Sequence, residues 1–350
     1  MLVIVVLALA ACGGGAQEQA PAAEQSAAEP TAMMEEMEPT EVIEEMSLTE
    51  EPMEEPTEEA MEEPAAEPAD DMAPTEEAMD EQDMAEMDPL MLDGSAAGLR
   101  VALNRLLGEH VLLAASATNA ALDGRTADFE AAAAALDENS VDITSAITAV
   151  YDEDAGAEFL DQWRAHIGLF VDYTTATAAG DTEAKDQAVA DLGEYITDFA
   201  AFLSGATGIP AETLEANLQE HVMSLAAVVD AQAAGDDVAA YAALRMAYHH
   251  MASTAAALSG AISGQNPELF SGDGASSAAE LRVALNNLLA EHTFLAAMAT
   301  DAALNGNTGE FEAAGAALDE NSVALGAAIT SVYGEDAGAA FLDQWRAHIG

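Results

Sequence analysis

Histidines are the residues of this chain whose type and spacing point most directly to chemistry. His110, His166 and His221 follow one another at intervals of 56 and 55 residues, each among apolar residues at helical spacing. All three are therefore expected to face the interior of a helical bundle, where His249 from the last predicted helix can join them. Because imidazole nitrogens bind copper and zinc, these four histidines could together form a site for one copper or zinc ion.

A second interpretation of these histidines stays open. A buried imidazole without a hydrogen-bond partner costs about 1 to 3 kcal/mol, so each ring could instead bond a carbonyl, tyrosine or glutamate of its own hairpin. A di-iron site is not indicated, since Glu109 and Glu220 directly precede their histidines and Ala114 follows His110 by four positions. The Glu-x-x-His spacing of di-iron bundles is thus absent.

Motifs for catalysis are missing from the sequence. It contains no nucleophile elbow, no glycine-rich phosphate loop and no cysteine after position 12. Whether the protein is an enzyme stays open, but these features favour a non-enzymatic role.

The elements that must position the histidines are six amphipathic helices. Apolar residues recur three and four positions apart, and glycine, aspartate and threonine mark the breaks between periodic segments. The helices are predicted near 98–122, 127–150, 156–179, 182–204, 211–234 and 237–262. Short connections make neighbours antiparallel, so we predict an all-α fold, a six-helix antiparallel bundle built of three related hairpins of about 55 residues.

The bundle sequence is duplicated in tandem. Residues 99–168 recur at 281–350 with a constant offset of 182, and 52 of the 70 positions are identical. We therefore predict one bundle domain at 98–266, a short flexible linker at 267–279 and a truncated second bundle domain at 280–350. Two explanations of the truncation stay open: either the natural protein continues beyond Gly350, or its reading frame is cut short.

The amino terminus has the pattern of a secretion signal. Residues 1–11 are apolar and too few to span a bilayer, which takes about 20 in a helix. The sequence Leu9-Ala10-Ala11-Cys12 resembles the lipobox of bacterial lipoproteins, which implies removal of the preceding peptide and lipidation of Cys12. Because the usual basic residues are missing, we expect the true start to lie upstream of Met1. The resemblance implies a bacterial cell-envelope protein, anchored to the membrane by lipid and facing outward.

Residues 13–97 are expected to form a disordered acidic spacer, since they hold 28 acidic residues and no lysine or arginine. The rest of the chain has 37 acidic against 8 basic residues, a formal charge of −29 within a total of −57. Such a surface repels phosphate backbones, which excludes nucleic acid as a partner. Cations or a basic protein remain compatible with it.

Three segments carry a further resemblance. They are the stretch from Phe159 to Tyr173, which contains Trp-Arg-Ala-His-Ile-Gly-Leu-Phe-Val-Asp-Tyr, together with 134–140 and 248–251. They resemble a poorly characterised all-helical domain of secreted and lipid-anchored bacterial proteins, some of which carry copper-related names. The leading hypothesis is a surface-displayed, lipid-anchored helical binding or structural module. The alternative is an envelope protein that binds copper or zinc through its inward histidines.

Overall fold

The computed structural model describes residues 93–349 of the chain. Cys12, the predicted signal at 1–12 and nearly all of the predicted spacer at 13–97 lie outside the described residues. Within 93–349 the chain forms nine helices and no strand, which confirms the all-α prediction. None of these helices combines the length and the apolar character that a membrane crossing requires.

Six helices make up the first copy of the duplicated sequence, and three follow in the second. The first six are α1 (Ala96–Leu122), α2 (Thr126–Val150), α3 (Glu153–Ala179), α4 (Thr182–Thr207), α5 (Ala211–Ala234) and α6 (Asp237–Gln265). The second copy consists of α7 (Ser277–Asn305), α8 (Thr308–Tyr333) and α9 (Glu335–Ile349).

Polar caps explain where the helices begin and end. The carboxylates of Asp152, Asp181 and Asp236 each accept a hydrogen bond from the main-chain nitrogen three residues later, at the starts of α3, α4 and α6. At the other ends, glycines with positive φ follow α3 and α5, at Gly180 and Gly235. The turns therefore match the hairpin corners that the sequence predicts.

The first copy is a closed bundle whose odd-numbered helices meet at its centre. Each helix packs on the next along the chain, α6 packs back on α1, and α1, α3 and α5 also contact one another. Because connections are short and neighbours antiparallel, these three inner helices run in one direction. They are the three helices that carry His110, His166 and His221, so the bundle brings one histidine from each hairpin to its axis.

The second copy is attached to the first through α1 and α6. Helix α7 lies on α1 and α8 lies on α6, and buried apolar residues of both copies belong to one continuous cluster. Arg100 forms a two-pronged ion pair with Glu280, at 2.6 and 2.9 Å, and Asn104 is hydrogen-bonded to Asn287. The main-chain nitrogen of Ala96 donates to the carbonyl of Ser271 at 2.9 Å, which ties the segment between the copies to the start of α1.

Gly108 shows how closely α6 approaches α1. A Cβ at this position would lie only 2.7 Å from Cε2 of Tyr248, whose buried ring is fixed by the hydrogen bond from its hydroxyl to the carbonyl of Asn287. The second copy has Ala290 at the aligned position. Glycine is therefore required only where the closing helix α6 is present.

Candidate metal centre

Three of the four histidines that the sequence selects meet in the core of the first copy. His110 on α1, His166 on α3 and His221 on α5 are all buried. Each can offer a ring nitrogen such that the three nitrogens all lie within 4.8 Å of one another. The recurrence at 56 and 55 residues thus corresponds to one level of the bundle, as expected if the three hairpins are structurally equivalent.

The spacing of the rings suits a metal ion. The two Nε2 atoms of His110 and His166 are 3.4 Å apart, and the ring centroids of His110 and His221 are 5.9 Å apart. Nitrogens bound at 2.0 to 2.1 Å to one zinc ion in tetrahedral geometry lie about 3.4 Å from each other. The nearest pair of histidines therefore already has the separation of two ligands of one ion.

Hydrogen bonding leaves three of the six ring nitrogens of this cluster without a partner, whereas the Nε2 atoms of His110 and His166 lie within hydrogen-bonding distance of each other. Nδ1 of His166 lies 3.5 Å from the hydroxyl of Tyr195, a long contact. In the described part of the chain, Nδ1 of His110 and both ring nitrogens of His221 have no hydrogen-bond partner. The interpretation in which each histidine bonds a group of its own hairpin is thus supported only weakly at His166 and is not supported at His221.

Burial keeps all three imidazoles neutral. It lowers the pKa of His166 to about 3 and that of His221 to about 4, with the neighbouring histidines His221 and His250, respectively, adding repulsion. Burial, followed by repulsion from His166 and His221, also holds the pKa of His110 well below its usual value. A neutral imidazole is the form that binds a metal ion, so at neutral pH no proton competes for these nitrogens.

The donor set of the cluster is three imidazoles without a carboxylate. Three protein nitrogens leave one coordination position of a tetrahedral ion open.

No family model, curated protein or solved structure matches this chain. The assignment of the site accordingly rests on the geometry and burial of its own residues.

Aromatic rings hold the histidines in place. The ring centroid of Trp163 lies 4.8 Å from that of His110 and 4.6 Å from that of His166, and Phe159 stacks on the far side of the indole. Tyr195 on α4 stacks on His166 at 5.4 Å. Sequence reasoning missed Tyr195, because no motif marks it and only the packing of α4 on α3 brings it beside the site.

His249 lies apart from the cluster. Its side chain is about half exposed, and its Nε2 is 3.4 Å from a carboxylate oxygen of Glu291 in the second copy. The adjacent His250 contacts Glu220 at 3.5 Å and the carbonyl of Asn217 at 3.1 Å. The structure therefore brings together three of the four predicted ligands and places the fourth at the contact between the copies.

The second copy repeats two of the three histidines without enclosing them. His292 and His348 have ring centroids 5.4 Å apart, and Trp345 lies beside both, as Trp163 does in the first copy. His292 is half-buried, whereas His348 is exposed. The described residues of this copy supply no third histidine, so the complete cluster occurs once.

Proposed function

We propose that the first bundle binds one copper or zinc ion through His110, His166 and His221. The observation that carries this proposal is the convergence of three buried, neutral imidazoles, three of whose six ring nitrogens have no hydrogen-bond partner. Leaving a buried polar group unsatisfied costs about 1 to 3 kcal/mol. A metal ion would accept one lone pair from each of the three rings and remove part of this cost.

Copper in its monovalent state fits the donor set better than zinc. The cluster contains no carboxylate to balance charge, and the free energy needed to bury an ion rises with its charge. A monovalent ion among three neutral imidazoles therefore carries a smaller desolvation cost than a divalent one. Zinc is the alternative because imidazole suits both metals.

Metal titration of the purified full chain tests the proposal. Cu(I) under reducing conditions and Zn(II) in a separate series are titrated against a competing chelator. We expect one ion per chain and a lower dissociation constant for Cu(I) than for Zn(II). His166→Ala should weaken binding by more than about 100-fold, since losing a ligand costs more than losing an outer-shell partner.

His348→Ala is the matched control, because it removes the aligned histidine of the second copy and should change the affinity less than about threefold. His249→Ala should likewise leave it unchanged, which separates a three-ligand site from the four-ligand one. Circular dichroism checks that every variant remains helical. Absence of stoichiometric binding, or equal affinity in the wild type and a folded His166→Ala variant, would refute the proposal and leave a structural module without metal.

We further propose that this module is displayed on the outer face of a bacterial envelope through a lipid on Cys12. The support is the sequence Leu9-Ala10-Ala11-Cys12 after an apolar run, followed by a stretch rich in acidic residues. Expression of the full chain in a bacterial host tests this. The wild type should fractionate with membranes and carry a lipid mass on Cys12, whereas Cys12→Ala should be released. Equal fractionation of both would contradict the proposal.

A further inference from the structure

The first bundle contains a cavity of about 100 Å³ on the side of the histidine cluster toward the start of α3. All six helices of the first copy contribute to its wall. The wall includes Trp163 and His221 at the histidine cluster and, farther along the helices, Tyr151, Ala206 and Leu258. The last three residues are only partly buried, so the cavity adjoins the candidate metal centre on one side and less buried residues on another.

The wall of the cavity presents carbon atoms. Of its polar residues, three have hydroxyl groups engaged by the protein itself, whereas Nε1 of Trp163 and the ring nitrogens of His221 have no partner but are buried behind the apolar surface that faces the cavity. The hydroxyl of Thr254 donates to Oδ1 of Asn217 at 2.9 Å, that of Thr207 to the carbonyl of Leu203 at 2.7 Å, and that of Tyr151 to a carbonyl at 3.3 Å. A bound water needs two to four polar partners. The surface that faces this cavity offers no polar atom, so water gains little by entering it.

We propose that this cavity is a binding site for one small apolar molecule, of the size class that runs from a dissolved gas to a single hydrocarbon ring. Cavities of about 150 Å³ lined by aliphatic and aromatic side chains stay dry and bind benzene or xenon, and this cavity is of similar size and lining. The ligand would lie against the carbon face of His221. Binding does not rest on the proposed metal function, because no metal contributes to the wall.

Xenon is the probe, applied under pressure to the metal-free full chain while methyl resonances are followed by NMR. We expect saturable shifts confined to methyl groups that line the cavity, such as those of Leu107, Ile143 and Leu218. Benzene, titrated below its solubility limit, should shift the same methyl groups. Shifts spread over the surface, or none at the cavity, would overturn the proposal.

Filling the cavity gives a matched pair of variants. Ala155 lines the cavity at the start of α3, and Ala337 occupies the aligned position at the start of α9 in the second copy. Ala155→Phe should weaken xenon binding at least tenfold, whereas Ala337→Phe should leave it unchanged. Leu203→Phe serves as a second filling variant if Ala155→Phe does not fold. Undiminished binding in a folded filling variant would overturn the proposal.

Discussion

The two copies place the same residues in different surroundings. Leu107 is 4% exposed whereas its counterpart Leu289 is 44% exposed. Trp163 is buried and Trp345 half-buried, although each stands beside its two histidines at nearly the same distances. The difference arises because, in the first copy, α4, α5 and α6 cover the side on which Leu107 and Trp163 lie. Local arrangement is thus set by the repeated sequence, whereas burial, and with it the pKa of the histidines, is set by the covering helices.

Two aligned glutamates show the opposite contrast, because the one in the second copy is the more buried. Glu109 of the first copy has a side chain that is 34% exposed, 4.0 Å from Arg105, whereas the aligned Glu291 is 1% exposed. Burial alone would raise the pKa of Glu291, but hydrogen bonds from His249, Arg245 and Asn321 outweigh it and lower the pKa to about 2. The second copy therefore buries a charge that the first leaves near solvent, and α6 supplies the balancing groups.

The largest expected effect comes from the two tryptophans. Trp163→Ala removes a buried ring and should lower the free energy of unfolding by about 3 to 5 kcal/mol. Trp345→Ala, at the aligned position, should lower it by a smaller amount, because that ring is only partly buried. Urea unfolding of the full chain measures both. Equal losses would mean that the covering helices do not distinguish the copies.

The contact between the copies is tested at Arg245. Its Nε lies 2.9 Å from Glu291, and it also pairs with Glu320. Arg245→Leu leaves a buried carboxylate without its cation and should cost about 3 kcal/mol. Arg105→Leu, beside the more exposed Glu109, should cost less than about 1 kcal/mol. Adding Glu291→Gln to Arg245→Leu should restore part of the loss; if it restores none, the pair does not hold the copies together.

The pH dependence of stability should separate the histidines of the two copies. Unfolded His221 gains a proton near its usual pKa of 6.5, whereas the folded form gains one only near 4. Between these values the unfolded chain binds more protons, so acidification from pH 7 to 4 destabilises the fold. In metal-free protein, His221→Phe should reduce this loss by on the order of 2 kcal/mol.

His292→Phe is the control for that measurement. The pKa of His292 is also lowered, by partial burial and then by repulsion from His348, so its replacement should reduce the acid loss by a smaller amount. Thermal unfolding at several pH values between 4 and 7 compares the variants with the wild type. An identical pH profile for the wild type and His221→Phe would show that His221 titrates normally in the folded protein.

Helix positions were predictable from the sequence to within a few residues, and the deviations have local causes. Helix α3 begins at Glu153 and not near 156, because Asp152 caps it through the nitrogen of Ala155. Helix α4 continues past 204 to Thr207, where Gly208 takes the left-handed conformation that ends it. Periodicity identifies the apolar face of a helix, but capping side chains decide its first and last turns.

The candidate site was predictable only in part, and the reason is physical. Helical spacing puts His110, His166 and His221 on inward faces, and their recurrence puts them at one level. His249 belongs to a helix whose two faces both meet protein, one inside the first copy and one against the second. Nothing in the spacing decides which face binds which neighbour, and Tyr195 has no sequence signal at all.

By itself the sequence determined the helices, their turns, the duplication and the inward direction of three histidines, because these depend on residue patterns within one helix or on direct repetition. The tertiary structure alone decided that α1, α3 and α5 meet at the axis, that His249 faces Glu291 and that identical residues differ in burial. It also decided where the apolar cavity lies. These features depend on how side chains from different helices pack together, from 42 residues apart for His249 and Glu291 to 111 for His110 and His221, and local periodicity carries no information about that packing.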